Sequence, residues 1–312
     1  MTLHAFDTAL KPDGTMPLGT LMSPAIDYCM EGFAVRPRVH AFWLQPAQAG
    51  RIERVAVVKE LDAARKIYLR DDGTLLNIGE TLRNPDMGRL YQRIADEGIG
   101  VFYNGDVADQ IAADMKANGG LLTKDDLADC APTKIAPLKG SYRGFDVDTN
   151  QLPGGGLMIL QMLNILEQFD LVSMGHNSAR YIATVSEAMK YSTIDKDTNM
   201  GDPNFVDVPL ERLKSKELAI ETAAKIRAGH KANVARMNAG APESKDTTHL
   251  VVADTAGNIV NVTHSLGSSS GVITDGLGFM YNNCMMVFDP RPGRVGSLAP
   301  GKARFTAMCP TI

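Results

Sequence analysis

A threonine stands where a small, polar segment gives way to a strand-like run. Gly240-Ala241-Pro242-Glu243-Ser244-Lys245-Asp246 leads into Thr247-Thr248-His249-Leu250-Val251-Val252. That placement has a chemical use. Once the Asp246–Thr247 bond is cut, Thr247 carries an α-amino group whose unperturbed pKa is about 8, so one residue holds both a general base and a hydroxyl nucleophile. The amine takes the hydroxyl proton, directly or through a water, while Oγ1 attacks an amide carbonyl to give an acyl-enzyme. Water then completes hydrolysis, and an amine completes transfer. Taken alone the signal is weak, because Thr-Thr pairs open many ordinary strands.

The next residues supply a partner. Thr248 to Ala253 reads as a strand, Asp254-Thr255-Ala256-Gly257-Asn258 as a turn, and Ile259 to Ser265 as a returning strand with Asn261, Thr263 and Ser265 on one face. In a hairpin centred on Ala256, residues equidistant from it face each other, which pairs Thr247 with Ser265 at a Cβ separation of roughly 5 Å. Ser265 would then hydrogen-bond Oγ1 of Thr247 and orient it.

The elements that must position this pair are mixed α and β. Asp106 to Asn118 carries Ala108, Ile111, Ala112 and Met115 on one helical stripe and stops at Gly119-Gly120. Gly156 to Phe169 is expected to be helical on the stripe Ile159, Met162, Leu163 and Leu166. A third helix is expected from Asn177, as N-cap, with Ile182, Val185, Ala188 and Met189 turned inward. No repeat or heptad seam is present.

Composition narrows the function classes. The 312 residues are 44% hydrophobic and 22% charged, enough to bury a sizeable core. A net charge of -4 offers no basic field, so neither nucleic acid nor a membrane is an expected partner. No apolar run approaches the roughly 20 residues of a bilayer span, and the start lacks a signal-peptide pattern. That makes the chain cytoplasmic if Met1 is the true start, and periplasmic or secreted if a longer precursor exists. Cys29, Cys130, Cys284 and Cys309 lie far apart and read as buried thiols. His249 and His264 read as strand histidines, and no metal or cofactor is expected. Gly154-Gly155-Gly156 lacks the lysine of a phosphate cradle and reads as a tight loop. Asp195-Lys196-Asp197 reads as a solvated helix end. Ser268-Ser269-Ser270-Gly271 either lines a pocket or is a flexible loop.

A family resemblance joins these readings. Thr247-Thr248-His249-Leu250, Gly257-Asn258, Gly278-Phe279, Asn282-Asn283 with Met285, Pro300-Gly301-Lys302 and Met308-Cys309-Pro310-Thr311-Ile312 resemble the start of the small subunit of γ-glutamyltranspeptidases. Upstream, Gly14-Thr15-Met16-Pro17-Leu18, Phe102-Tyr103-Asn104-Gly105, Asp125-Asp126-Leu127, Tyr142-Arg143-Gly144 and Gly201-Asp202-Pro203 resemble the large subunit, in the family's order. The resemblance implies an α+β fold, the four-layer αββα sandwich of N-terminal-nucleophile hydrolases, incomplete here at both ends. It implies self-cleavage between Asp246 and Thr247, dividing the chain into a large-subunit portion, 1–246, and a small-subunit portion, 247–312, of one structural domain. Thr247 is then the catalytic nucleophile, and Ser265 stands where the family usually has a threonine that bonds to it. The implied partners are a small-molecule amide and the two subunits of one precursor; a homo-oligomer stays open.

Several positions depart from the family's pattern for a γ-glutamyl donor. In the substrate-binding set, Gly267 replaces Asn, Cys284 replaces Gln or Glu, Val287 replaces the Asp that holds the donor's α-ammonium, and Thr306-Ala307 replaces a Ser-Ser pair; Ser268 belongs to the same set. A buried ammonium without an anionic partner costs on the order of several kcal/mol. The activity implied is therefore an amide hydrolase or acyltransferase working through Thr247 on glutathione or other γ-glutamyl compounds. The alternatives are an amidohydrolase or acylase acting on other amides, a small amide acid such as oxamate among them, and a non-catalytic truncated remnant. By the family pattern the Gly-Gly oxyanion hole falls after Ile312 and a donor-binding arginine before Met1. Each oxyanion donor is worth roughly 10²- to 10³-fold in rate, so this piece alone is expected to be a poor catalyst.

Overall fold

The computed structural model describes residues 2–44, 53–235, 246–267 and 269–312. The chain opens with helices α1 (Thr2–Asp13) and α2 (Leu18–Glu31), strand β1 (Phe33–Ala34) and helix α3 (Pro37–Trp43). It continues through α4 (Arg54–Glu60), α5 (Asp62–Tyr68), β2 (Thr81–Leu82), α6 (Pro85–Glu97), α7 (Gly100–Tyr103), α8 (Asp106–Ala117) and α9 (Lys124–Ala128). Next come β3 (Leu138–Tyr142), β4 (Phe145–Thr149), α10 (Gly156–Glu167), α11 (Ala179–Asn199), α12 (Leu210–Leu213) and α13 (Lys216–Arg227). The last part holds β5 (Asp246–Ala253), β6 (Ile259–Gly267), β7 (Ser269–Ile273), β8 (Met280–Asn282) and a 3₁₀ turn, Cys284–Val287. Among the described residues the strands form four antiparallel pairs: β1 with β2, β3 with β4, β5 with β6 and β7 with β8. Helices and antiparallel strands thus share one chain, as the α+β class requires.

Packing divides the chain into two compact units, Met1–Lys134 with Ser268–Asn283 and Ile135–Gly267 with Cys284–Ile312. The partition at 246/247 concerns a peptide bond, and this one concerns which stretches of backbone lie together. In the first unit Leu90, Ile94, Val107 and Ile111 build a core with Leu277. Asn84 begins α6 by accepting from the Met87 N–H, with Pro85 pre-set at the first helical position, and donates its amide to the Gly278 carbonyl at 2.8 Å. A capping box, Thr123 with Asp126, starts α9. No helix among the described residues is long and apolar enough to cross a membrane.

The second unit is organised around α10, which packs on β3, α11 and α13. Leu157, Leu160 and Ile165 are its fully buried apolar residues. The expected stripe Ile159, Met162, Leu163 and Leu166 is only half-buried, and the core face also carries Gln161 and Asn164. Hydrogen bonds explain the difference: Gln161 donates to Asp195, and Asn164 donates to the Lys214 carbonyl at 2.8 Å, so both amide nitrogens enter the core with a partner.

Helix α11 shows the same effect. Its cap is Ser178, which accepts from the Tyr181 N–H, while Asn177 takes a left-handed φ of 55° one residue earlier. Ile182 and Met189, expected inside, are half exposed, and Thr184, Glu187, Ala188 and Ser192 face the core. Ser192 donates to the Met158 carbonyl of α10 at 3.0 Å, so a hydrogen bond joins the two helices beside the apolar contact of Ala188 and Tyr191 with Ile165.

Candidate active site

The hairpin β5–β6 closes over Asp254, whose Oδ1 accepts from the backbone N–H groups of Ala256 and Asn258 at 2.9 Å. Gly257 supplies the positive φ, 86°, that this tight turn needs. Pairing then runs Ala253 with Ile259, Val251 with Asn261 and His249 with Thr263, and it places Thr247 opposite Ser265. This is the register that symmetry about Ala256 predicts. Thr247 is exposed and its Oγ1 donates to Ser265 Oγ at 3.0 Å. His249 sits within the strand, its Nδ1 2.9 Å from Thr263 Oγ1.

The ladder breaks at the junction of interest. Asp246 pairs with Gly267 while Thr247 pairs with Ser265, so the register shifts across the Asp246–Thr247 bond and Leu266 is the extra residue. A bulge of this kind bends the strand and re-aims a side chain. Gly267, at φ 75°, donates its N–H to Ser265 Oγ at 2.9 Å. Ser265 therefore touches both the Thr247 hydroxyl and the backbone of the bulge. Cys284 Sγ reaches the Leu266 carbonyl at 3.4 Å, which seats the first residue of the 3₁₀ turn against the same bulge. A Cβ on Gly267 would stand 2.4 Å from Cys284 Sγ and 3.2 Å from Arg304 Nη2. Glycine is thus what lets the thiol approach the hairpin so closely.

Val287, at the far end of the turn, is half exposed. Two residues on, Asp289 has a carboxyl held at about 2 because the Arg291 guanidinium bonds it, Nε and Nη2 donating at 2.9 and 2.7 Å. That carboxylate is committed to Arg291.

Thr306 and Ala307 are anchored elsewhere. The Thr306 N–H donates to the Pro153 carbonyl and the Gly155 N–H to the Met308 carbonyl, each at 2.9 Å. A Cβ on Gly155 would lie 2.7 Å from the Ala307 carbonyl oxygen, so the Gly154-Gly155 turn, which leads into α10 at Gly156, admits a second backbone at close range. Among the described residues the four cysteines form no disulfide and are half-buried, less enclosed than the sequence suggests. Burial pushes the Cys309 thiol up from its ordinary value. Ser268 and residues 240–245 of the polar segment lie outside the described residues.

Three contributors were given no role in the site from the sequence. Buried Asp202 accepts from the Ala303 N–H at 2.8 Å and so holds the start of the Ala303–Met308 run. Asn261 donates to the Thr311 carbonyl at 2.7 Å and ties β6 to the last residues, which pair with β4 through Asp148 and Ile312. Arg304 lies beside Gly267. A lone charge between Ala303 and Phe305 was the available signal for it.

A sequence profile described as gamma-glutamyltranspeptidase matches residues 2–312. The chain is 34% identical to the glutathione hydrolase proenzyme of Escherichia coli (strain K12), covering 100% of this chain and 55% of that protein. It is 37% identical to the acylase ACY 1 proenzyme of Pseudomonas sp. (strain SE83), covering 99% of this chain and 54% of that one. Among solved structures, the cephalosporin acylase from Bacillus halodurans superposes with a TM-score of 0.80 at 28% identity, over 99% of this chain and 55% of the other. The chain spans about half the length of the curated relatives it matches. By profile, relatives and fold alike, this chain belongs to the gamma-glutamyltranspeptidase family.

Proposed function

We propose that the protein to which this chain belongs is a self-processing amide hydrolase or acyltransferase in which Thr247 is the nucleophile. The observation that carries this reading is the 3.0 Å contact of Thr247 Oγ1 with Ser265 Oγ at a bulge that falls on the bond to be cut. In the uncut chain Oγ1 attacks the Asp246 carbonyl carbon, the C–N bond breaks to free the Thr247 amine, and water hydrolyses the resulting ester. The new amine then accepts the Oγ1 proton when Thr247 attacks a substrate amide. The substrate's amine leaves with a proton, and water or a second amine releases the acyl group. Ser265 orients the hydroxyl and leaves the proton transfer to the amine.

The same reading divides the chain at 246/247 into large- and small-subunit portions. Its acyl site takes donors without an α-ammonium more readily than γ-glutamyl donors. Val287 offers no negative charge, and Asp289, the carboxylate two residues away, is occupied by Arg291. Intact mass of the full gene product tests the first half: wild type should yield a fragment beginning at Thr247, and Thr247→Ala should stay one chain. Wild-type protein that turns over amides while uncut would overturn it. A preference of tenfold or more, about 1.4 kcal/mol, for a γ-glutamyl anilide over the matched glutaryl anilide would overturn the second half.

A further inference from the structure

We propose that Asp202 is a positioning residue for the acyl site: by gripping Ala303 it fixes the path of the Ala303–Met308 run, which stands beside the nucleophile. The proposal rests on Thr247 being that nucleophile. The run belongs to no helix or strand, so individual contacts alone set its course. Its second residue, Arg304, brings Nη2 to 3.2 Å from the point a Cβ of Gly267 would occupy, and Gly267 pairs with Asp246, next to Thr247. An acyl group attached to Thr247 Oγ1 therefore has this run for a neighbour.

Asp202 is 4% exposed, and each of its carboxylate oxygens has a separate task. Oδ1 accepts from the Asn204 N–H at 3.0 Å and closes its own turn, while Oδ2 accepts from the Ala303 N–H at 2.8 Å, 101 residues away. An exposed aspartate would close the turn equally well, without the desolvation cost of a buried carboxylate. What burial adds is the bond to a remote backbone. Gly201 permits the approach, since a Cβ there would stand 2.9 Å from the Val295 carbonyl oxygen, and Lys302 Nζ donates to the same carbonyl at 2.7 Å. The entry to the run is thus pinned on both sides of Ala303. Farther along, the Thr306 N–H donates to the Pro153 carbonyl at 2.9 Å, and the Met308 carbonyl accepts from the Gly155 N–H at 2.9 Å and from Asn150 Nδ2 at 3.0 Å. Loss of the Asp202 grip leaves that far end in place and frees residues 303–305. The acyl chain then loses a wall remote from the scissile bond, which weakens ground state and transition state alike and raises KM with kcat kept.

The experiment uses the full-length enzyme as wild type, Asp202→Asn, Asn150→Ala and Ser192→Ala, with glutaryl anilide as the substrate. Asparagine keeps the size and one acceptor, so one of the two N–H groups loses its partner. We expect Asp202→Asn to self-cleave at Thr247 at the wild-type rate, to raise KM about tenfold or more, and to keep kcat within about threefold. Asn150→Ala, which removes one contact at the far end of the run, should raise KM about threefold. Ser192→Ala removes a buried hydrogen bond between α10 and α11 and should lower Tm with KM unchanged. Asp202→Asn behaving like Ser192→Ala would make Asp202 structural and overturn the proposal, as would slowed self-cleavage or a loss carried mainly by kcat. If Asp202→Asn does not fold, Asn150→Ala decides, and an unchanged KM there overturns it. Amide hydrogen exchange separates the grip from the reading it rests on. Exchange about tenfold faster at 303–305 in Asp202→Asn, with 247–265 unchanged, upholds the grip even where the wild type cleaves no anilide and the Thr247 reading fails; unchanged exchange at 303–305 removes it.

Discussion

Helix α10 and the hairpin β5–β6 belong to the same packing unit and are held in place by different physics. Leu157, Leu160 and Ile165 of α10 are at most 1% exposed, with β3, α11 and α13 around them. The hairpin carries an equally apolar run, yet Leu250 and Val260 are 55% and 57% exposed among the described residues. Within this chain, what fixes the hairpin is its ladder, the Asp254 turn and the contacts at its open end. Burial stabilises at about 25 cal/mol per Å² of apolar surface and is indifferent to the direction of any one hydroxyl. A ladder contributes less energy and sets that direction. Substitutions in α10 should therefore be felt in stability, and substitutions at the open end of the hairpin in chemistry.

The sharpest way to break this comparison is at Thr247. Thr247→Ala in the full-length protein should lower amide turnover by at least about 10⁴-fold, as loss of a nucleophile does elsewhere, while an exposed side chain costs under about 1 kcal/mol of stability. Turnover retained in well-folded variant protein would show that the hairpin positions something other than the nucleophile. The opposite result is expected in α10. Leu157→Ala removes a side chain with no exposed surface and should cost about 2–5 kcal/mol in denaturant unfolding, with activity per folded molecule unchanged.

The two regions were also unequally legible. The hairpin register followed from the Asp254–Asn258 turn and strict alternation, because a period of two leaves few ways to pair two strands. The α8 helix was legible for a similar reason: its apolar residues make a single stripe that stops at Gly119-Gly120. In α10 the apolar residues surround the helix, so periodicity could not name the buried face, and the deciding partners of Gln161 and Asn164 are remote in sequence. Arg304 was missed on the same ground. Its position beside Gly267 depends on Asp202 holding Ala303, and these sites lie far apart in the chain.

Ser265 tests whether the open end acts by positioning. Ser265→Ala removes the acceptor of both the Thr247 hydroxyl and the Gly267 N–H. A 10- to 100-fold fall in kcat, about 1.4–2.7 kcal/mol, is expected, with a smaller change in unfolding free energy. Ser265→Thr, which restores the hydroxyl, should recover most of the rate. A variant whose stability falls as far as its rate would make Ser265 structural.

The smallest effect belongs to the end of α10, where Glu167 receives the Arg143 N–H at 2.6 Å and Lys216 Nζ at 2.5 Å. Arg143 occupies a left-handed φ of 50° in the β3–β4 turn, so this carboxylate links that turn to the start of α13. The Lys216 hydrogen bond, and after it the Arg143 N–H, holds the Glu167 carboxyl below its ordinary value. A carboxyl lowered on folding contributes stability that is complete above its unfolded pKa and lost as pH falls through the folded one. The difference in unfolding free energy between wild type and Glu167→Gln should therefore be flat from pH 8 to 5 and shrink progressively below about 4.5, never exceeding about 1 kcal/mol for so exposed a pair. Urea unfolding at a series of pH values measures it. The turn and α13 lie on the burial side of the comparison, so the pH profile of kcat should be the same in both proteins. A stability difference that grows with acid would reverse the sign argued for Glu167, and a shifted kcat profile would mean that the two regions are coupled after all.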